Sequence, residues 1–218
     1  MNFSAWMRIN IIFIVFMGCG QYDGTVQNIG IINEFTKVRW TEVQGASPTI
    51  VFMGDSRVEL YPVWNYWPGR HVINIGKTDL TTFGLLGRIL YIKQFNPDIV
   101  YVSIGLNDIF YHTDVDHFHE RLIEIIRDIK SAAPGAAIYI TNIVPVQNDN
   151  EYGITTDAKV DELNIDIPSI CDSEGVTYID LGELEDPDGG LSAAYYRDGT
   201  HYNQAGYDKL SEILHRHF

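Results

Sequence analysis

Five short, almost unbroken apolar runs, separated by segments of helical period, constrain this chain more than any other feature. The runs are Thr49 to Met53 (TIVFM), His71 to Ile75 (HVINI), Ile99 to Ile104 (IVYVSI), Ala137 to Val144 (AIYITNIV) and Val176 to Leu181 (VTYIDL). Between them, Leu85, Leu86, Ile89, Leu90 and Tyr91 predict one helix. Phe118, Leu122, Ile125, Ile126 and Ile129 predict another, with Asp114 or Asp116 available as its N-cap. Val160, Leu163, Ile167 and Ile170 predict a third, which Pro168 must kink or split. Asn203 is placed to cap a last helix carrying Tyr207, Leu210, Ile213 and Leu214. Apolar strands alternating with helices predict an α/β fold, a parallel sheet covered on both faces. Ligands bind such sheets beyond the carboxyl ends of the strands. The residues just after Met53, Ile75, Ile104, Val144 and Leu181 are therefore where chemistry is expected.

A chain of 218 residues is the length of one domain and can bury a sizeable core unaided. Fifteen Lys and Arg stand against 29 Asp and Glu, a formal charge of −14. Such a chain repels phosphate backbones, and no basic stripe reverses that, so nucleic acid is not an expected partner. The two cysteines, Cys19 and Cys171, cannot make a disulfide framework. Cys171 follows Leu163, Ile167 and Ile170 on a helical pattern and is expected in the core.

The N-terminus carries a different signal. Ile11 to Met17 (IIFIVFM) is apolar throughout but far too short to span a bilayer, which takes about 20 apolar residues. It fits the apolar core of a secretory signal, and Gly18 and Cys19 follow at once. An apolar core ending in a small residue and then Cys resembles a bacterial lipoprotein signal. That resemblance implies cleavage before Cys19 and diacylation of its sulfur, with stable anchoring by two or more acyl chains. Phe16 departs from the usual Leu at its place. The expected organisation is a signal over 1–18, a tether and lead-in segment over 19–45, and one domain over 46–218. The protein is expected to be exported and held at a bacterial membrane through Cys19, facing the periplasm or the cell exterior.

Four strand-end or helix-start segments supply the parts for acyl transfer. Gly54-Asp55-Ser56-Arg57 follows the first strand, where a Ser at a strand-to-helix turn is exposed beside helix N–H groups. Asn74-Ile75-Gly76 closes the second, Gly105-Leu106-Asn107-Asp108 follows the third, and Asp198-Gly199-Thr200-His201 leads into the last helix. Ser56 is the candidate nucleophile and His201 its base. Asp198, three residues earlier on the same turn, is the candidate orienter. The Ser56 N–H, the Gly76 N–H and the Asn107 amide are the candidate donors to an oxyanion.

These residues resemble the blocks of the SGNH (GDSL) hydrolase family. Ser56 matches the block I serine, Gly76 the block II glycine, Asn107 the block III asparagine and His201 the block V histidine, with Asp198 as its partner. The resemblance runs from about Thr49 to the C-terminus. It implies a flavodoxin-like three-layer α/β/α sandwich with a parallel five-stranded sheet of order 2-1-3-4-5. It also implies esterase, lipase or acyltransferase chemistry with no metal and no cofactor. Arg57 stands where the family usually carries an apolar residue, and it is expected either to meet a substrate carboxylate or, preferably, to pair with Glu59.

Other patterns are weaker. Gly76-Lys77-Thr78 lacks the first glycine of a phosphate-binding loop, since position 71 is His71. His112, His117 and His119 lie near Asp114, Asp116 and Glu120, but a solvated first helical turn accounts for them better than a metal site does. Tyr61, Trp64, Tyr66 and Trp67 crowd the segment after the nucleophile, and Tyr202 flanks the Asp–His turn. Arg57, Trp64, Tyr66, Trp67 and Tyr202 could line a substrate groove, or the aromatic residues could simply pack on the sheet. The reading reached is a serine esterase removing a small, acetyl-like acyl group from a carbohydrate or lipid. Its rivals are an O-acyltransferase using the same triad and a noncatalytic glycan-binding surface lipoprotein.

Overall fold

The computed structural model describes residues 39–41, 48–147, 156–187 and 190–218. The expected signal and Cys19 lie outside the described residues. The chain runs β1 (Arg39–Thr41), β2 (Thr49–Gly54), α1 (Ser56–Glu59), α2 (Val63–Tyr66), β3 (His71–Asn74), α3 (Thr82–Leu86), β4 (Ile99–Ser103) and α4 (Leu106–Phe110). It continues through α5 (Val115–Ala132), β5 (Ala137–Thr141), α6 (Thr156–Asn164), α7 (Ile167–Ser173), β6 (Thr177–Ile179) and α8 (Gln204–Leu214). The sheet order is β1-β3-β2-β4-β5-β6.

Its five parallel strands have the expected order 2-1-3-4-5, with helices on both faces. The addition is β1, an antiparallel edge strand that pairs Arg39 with Asn74 and Thr41 with Val72. It falls inside the segment expected as tether and lead-in. Three residues with no apolar run give a periodicity argument nothing to find.

Side-chain alternation along β2 sends Ile50 and Phe52 to one face and Val51 and Met53 to the other. On the Val51 side lie α3, α5, α6 and α7, with α5 presenting Phe118, Leu122, Ile125, Ile126 and Ile129 inward. Asp114 caps α5, its carboxylate accepting from the Asp116 N–H. On the Phe52 side lie α1, α2 and α8.

Two predicted helices are divided. Pro168 sits in the first turn of α7 after a break from α6, as its missing N–H requires. The stretch Leu85 to Tyr91 is not one helix. It ends as α3 at Leu86, with Gly87 as cap, and resumes as a 3-10 turn over Ile89–Gln94. Leu90 is consequently 82% exposed.

Candidate active site

β2 stops at Gly54 and α1 begins at Ser56, with Asp55 as N-cap accepting from the Arg57 N–H at 2.9 Å. This fixes Ser56 at the carboxyl end of a central strand. Its N–H makes no hydrogen bond among the described residues. Asp55 is buried, and loss of water raises its pKa against the pull of the neighbouring Arg57.

The second part arrives from the other end of the chain. Tyr196 and Tyr202 form an antiparallel bridge, and the Arg197 N–H donates to the His201 carbonyl at 2.9 Å, closing residues 197–201 into a turn. Inside it, Asp198 Oδ1 accepts from the N–H groups of His201 (2.7 Å) and Thr200 (3.1 Å). His201 Nδ1 lies 2.9 Å from Asp198 Oδ2, and His201 Nε2 lies 2.9 Å from Ser56 Oγ. Burial works against the Asp198 charge. The His201 N–H and imidazole and the Thr200 N–H together outweigh it and hold the carboxyl well below the usual range. Ser56, His201 and Asp198 thus form one continuous hydrogen-bonded line.

Asn107 approaches from the other side of the sheet. Gly105, at φ +126°, turns the chain from β4 into α4, and a Cβ there would lie 2.5 Å from Ile143 Cδ1 and 2.8 Å from Phe118 Cε2. Only glycine fits both the backbone and the space. Asn107 Nδ2 donates to the Leu80 carbonyl at 2.9 Å, which leaves its second N–H available. The next residue, Asp108, is buried and accepts from the Thr82 N–H (2.9 Å) and hydroxyl (2.7 Å). Desolvation raises its pKa in spite of those two donors.

Several expected roles are corrected. The Gly76 N–H is not open to an oxyanion, because it donates to Asn74 Oδ1 at 2.9 Å. Position 76 is glycine because a Cβ would lie 2.4 Å from Glu59 N and 2.7 Å from Val58 C in α1. The loop after it holds a donor that sequence reasoning missed. Lys77 N–H donates to the Gly54 carbonyl at 3.0 Å, Thr78 N–H and hydroxyl donate to Glu59, and Leu80 is held by Asn107. The loop therefore lies between the Ser56 turn and Asn107. Within it Asp79 has φ +62°, and its N–H makes no hydrogen bond among the described residues. No residue pattern announces this, since Asp is only a tolerated left-handed residue.

Arg57 neither pairs with Glu59 nor faces a substrate. It is 5% exposed, and its guanidinium is directed into the chain, onto the carbonyls of Thr200, Val144 and Pro145. Trp67 is buried and stacked on His215 and Phe218, so it packs on the sheet and lines no groove. Tyr202 is buried beneath the Arg57 guanidinium. Tyr66 is partly buried, and its hydroxyl is engaged by Asp208 (2.7 Å) and Gln204. Trp64 is partly buried and packs against the same cluster.

Residues 38–209 match the model of the GDSL-like lipase/acylhydrolase family. The chain belongs to that family, which is one of carboxylic ester hydrolases. It is 29% identical over 140 residues to a multidomain esterase of Ruminococcus flavefaciens. The match takes in 60% of this chain but only 17% of that enzyme's length. A solved structure described as a platelet activating factor from Streptococcus pneumonia is 26% identical, with TM-score 0.69, covering 79% of this chain and 85% of that one. An acetylxylan esterase of Geobacillus stearothermophilus shares the fold at 18% identity, with TM-score 0.62, covering 79% of this chain and 94% of that one.

Proposed function

We propose that this chain is a serine esterase that removes a small acyl group, acetyl being the model, from a carbohydrate or lipid ester. The observation that carries this reading is the line from Ser56 Oγ through His201 to Asp198, with 2.9 Å at each link. Ser56 Oγ attacks the ester carbonyl while its proton passes to His201 Nε2. Asp198, held ionised, stabilises the imidazolium and fixes the tautomer. The ester C–O bond breaks, His201 returns the proton to the departing alkoxide, and an acyl-Ser56 remains. Water then attacks that ester, giving a proton to His201, which hands it back to Ser56 as the acid leaves. The oxyanion is met by the Ser56 N–H, the free N–H of the Asn107 amide and the Asp79 N–H. The esterase relative supports ester cleavage, and the acetylxylan esterase that shares the fold makes acetyl on a saccharide the first substrate to test.

A panel of esters of rising acyl length, with an acetylated saccharide included, tests the reading. Wild type should prefer acetate, and Ser56→Ala should retain less than about one per cent of turnover with an unchanged near-ultraviolet spectrum. Turnover surviving in Ser56→Ala removes the nucleophile. Acyl transfer to an added saccharide in place of free acid makes the protein a transferase on the same residues.

We also propose that acyl chains on Cys19 hold the enzyme at a membrane, since the run from Ile11 to Met17 cannot span one. Wild type should incorporate labelled palmitate and Cys19→Ser should not. A wild type without label makes the protein a plain secreted enzyme.

A further inference from the structure

We propose that Arg57 is a positioning residue for the acyl-transfer step, a buried brace that sets His201 against Ser56; this rests on the esterase reading above. Three carbonyls from two segments meet its guanidinium. Nε donates to the Thr200 carbonyl at 2.9 Å, Nη1 to the Val144 carbonyl at 2.5 Å, and Nη2 to the Pro145 carbonyl at 3.0 Å. Its Cζ lies 5.0 Å from the centroid of the Tyr202 ring. Its main chain is fixed as well, the N–H donating to Asp55 and the carbonyl accepting from the Tyr207 hydroxyl at 2.9 Å.

The placement gives this fork its meaning. Arg57 directly follows the nucleophile, and Thr200 directly precedes the base. Ser56 and His201 stand 145 positions apart in sequence, so no local geometry sets their 2.9 Å contact. The guanidinium bridges the two neighbours of that contact in one rigid plane. Its other two bonds anchor the same plane to the loop after β5. That loop is itself tied to the catalytic turn, through the Gln147 N–H on the Gly199 carbonyl at 2.8 Å. Tyr202, the residue after the base, closes the stack from below. A charged side chain is buried here because its donors meet carbonyls in the fork geometry that arginine alone supplies. Lysine offers one compact head and an apolar residue offers none.

The test compares Arg57→Met and Arg57→Lys with wild type, each assayed below its own Tm. If Arg57 positions the base, kcat in the Met variant falls about a hundredfold while KM changes by less than about twofold, the size expected of a misplaced catalytic group. The Lys variant recovers part of that loss. Covalent labelling of Ser56 by a fluorophosphonate slows in parallel with kcat, because it needs the same activated hydroxyl. If the Met variant does not fold, the Lys variant decides alone. A folded variant with lowered Tm but wild-type kcat overturns the proposal and leaves Arg57 a purely structural residue. Failure of the wild type itself to label removes the esterase reading, and the brace with it.

Discussion

The two faces of the sheet are built on different principles. Behind Val51 and Met53 the core is aliphatic: Ile125, Ile126 and Ile129 of α5 meet Ile138 and Ile140 of β5, and Phe118 is the fully buried ring among them. Such packing is dense but without direction. Behind Phe52 the core is made of rings that carry polar atoms. Trp67 Nε1 donates to the Tyr61 hydroxyl at 3.3 Å, which bonds Ser211 Oγ at 2.6 Å, which donates to the Tyr207 carbonyl at 2.6 Å. Tyr61 and Tyr207 stack at 5.3 Å and 7°. Burial pushes the Tyr61 hydroxyl up to about 12, so it stays a donor. Hydrogen bonds fix angles as well as distances. Ser56 on α1 and His201 at the entrance to α8 both stand on this directional face, whereas Asn107 on α4 stands on the aliphatic one. Ser56 and His201 are aligned by the half of the core that specifies orientation.

The comparison can be broken at three places. The largest effect belongs to Asn107, the amide that the aliphatic side brings to the site. Asn107→Ala should lower kcat by roughly 10²–10³, about 2.7–4 kcal/mol, with KM nearly unchanged, because the amide acts mainly in the transition state. Steady-state kinetics on an acetate ester reads this, and a change confined to KM would move Asn107 into substrate binding.

Next come two substitutions that each delete one heavy atom, one per face. Tyr61→Phe leaves the Trp67 N–H without its acceptor inside the core and should cost about 1–3 kcal/mol. Ile125→Val removes a methylene from the aliphatic side and should cost about 0.5–1.5 kcal/mol. Urea unfolding of both measures the difference. Equal costs would show that the polar chain across the aromatic face adds nothing beyond packing.

The smallest effect is a pair of opposite pH slopes. Asp198 has a depressed folded pKa, so its contribution is present above the unfolded value near 3.9 and is lost as pH falls toward the folded one. Asp108 has a raised folded pKa, so its contribution is present below that unfolded value and is lost as pH rises through the folded one. Urea midpoints taken between about pH 2 and pH 6 should therefore show a flatter acid limb in Asp198→Asn and a steeper one in Asp108→Asn. A change of slope in the same direction in both variants, relative to wild type, would contradict the assigned environments.

The sequence was most legible where burial repeats. The five parallel strands could be read from almost unbroken apolar runs, most sharply β2, β3 and β4, which are covered on both faces and have no polar side to hide them. Ser56, Asn107, Asp198 and His201 could be singled out because each sits at a strand end or a helix start, the side of a parallel sheet where ligand sites lie. Arg57 was illegible for the opposite reason. A charged residue is ordinarily placed outside, and nothing local reveals three carbonyls waiting for it from Val144, Pro145 and Thr200. Gly76 misled because glycine has two uses. It can free an N–H for a ligand or admit a close backbone, and only the proximity of α1 decides between them. The split at Gly87 escaped a pattern that counts apolar positions and not the backbone between them.

One consequence remains in the turn that carries Asp198 and His201. A dyad written into four consecutive residues travels as a cassette. Closing so short a loop takes little chain entropy, whereas the contact to Ser56 closes a far longer one. Any drift of the last helix would carry acid and base away together, still bonded to each other, and leave the serine alone. An enzyme silenced in that way keeps every local bond and recovers when the helix re-seats. Loss of turnover would then be an early and reversible alarm, sounding before the sheet itself gives way.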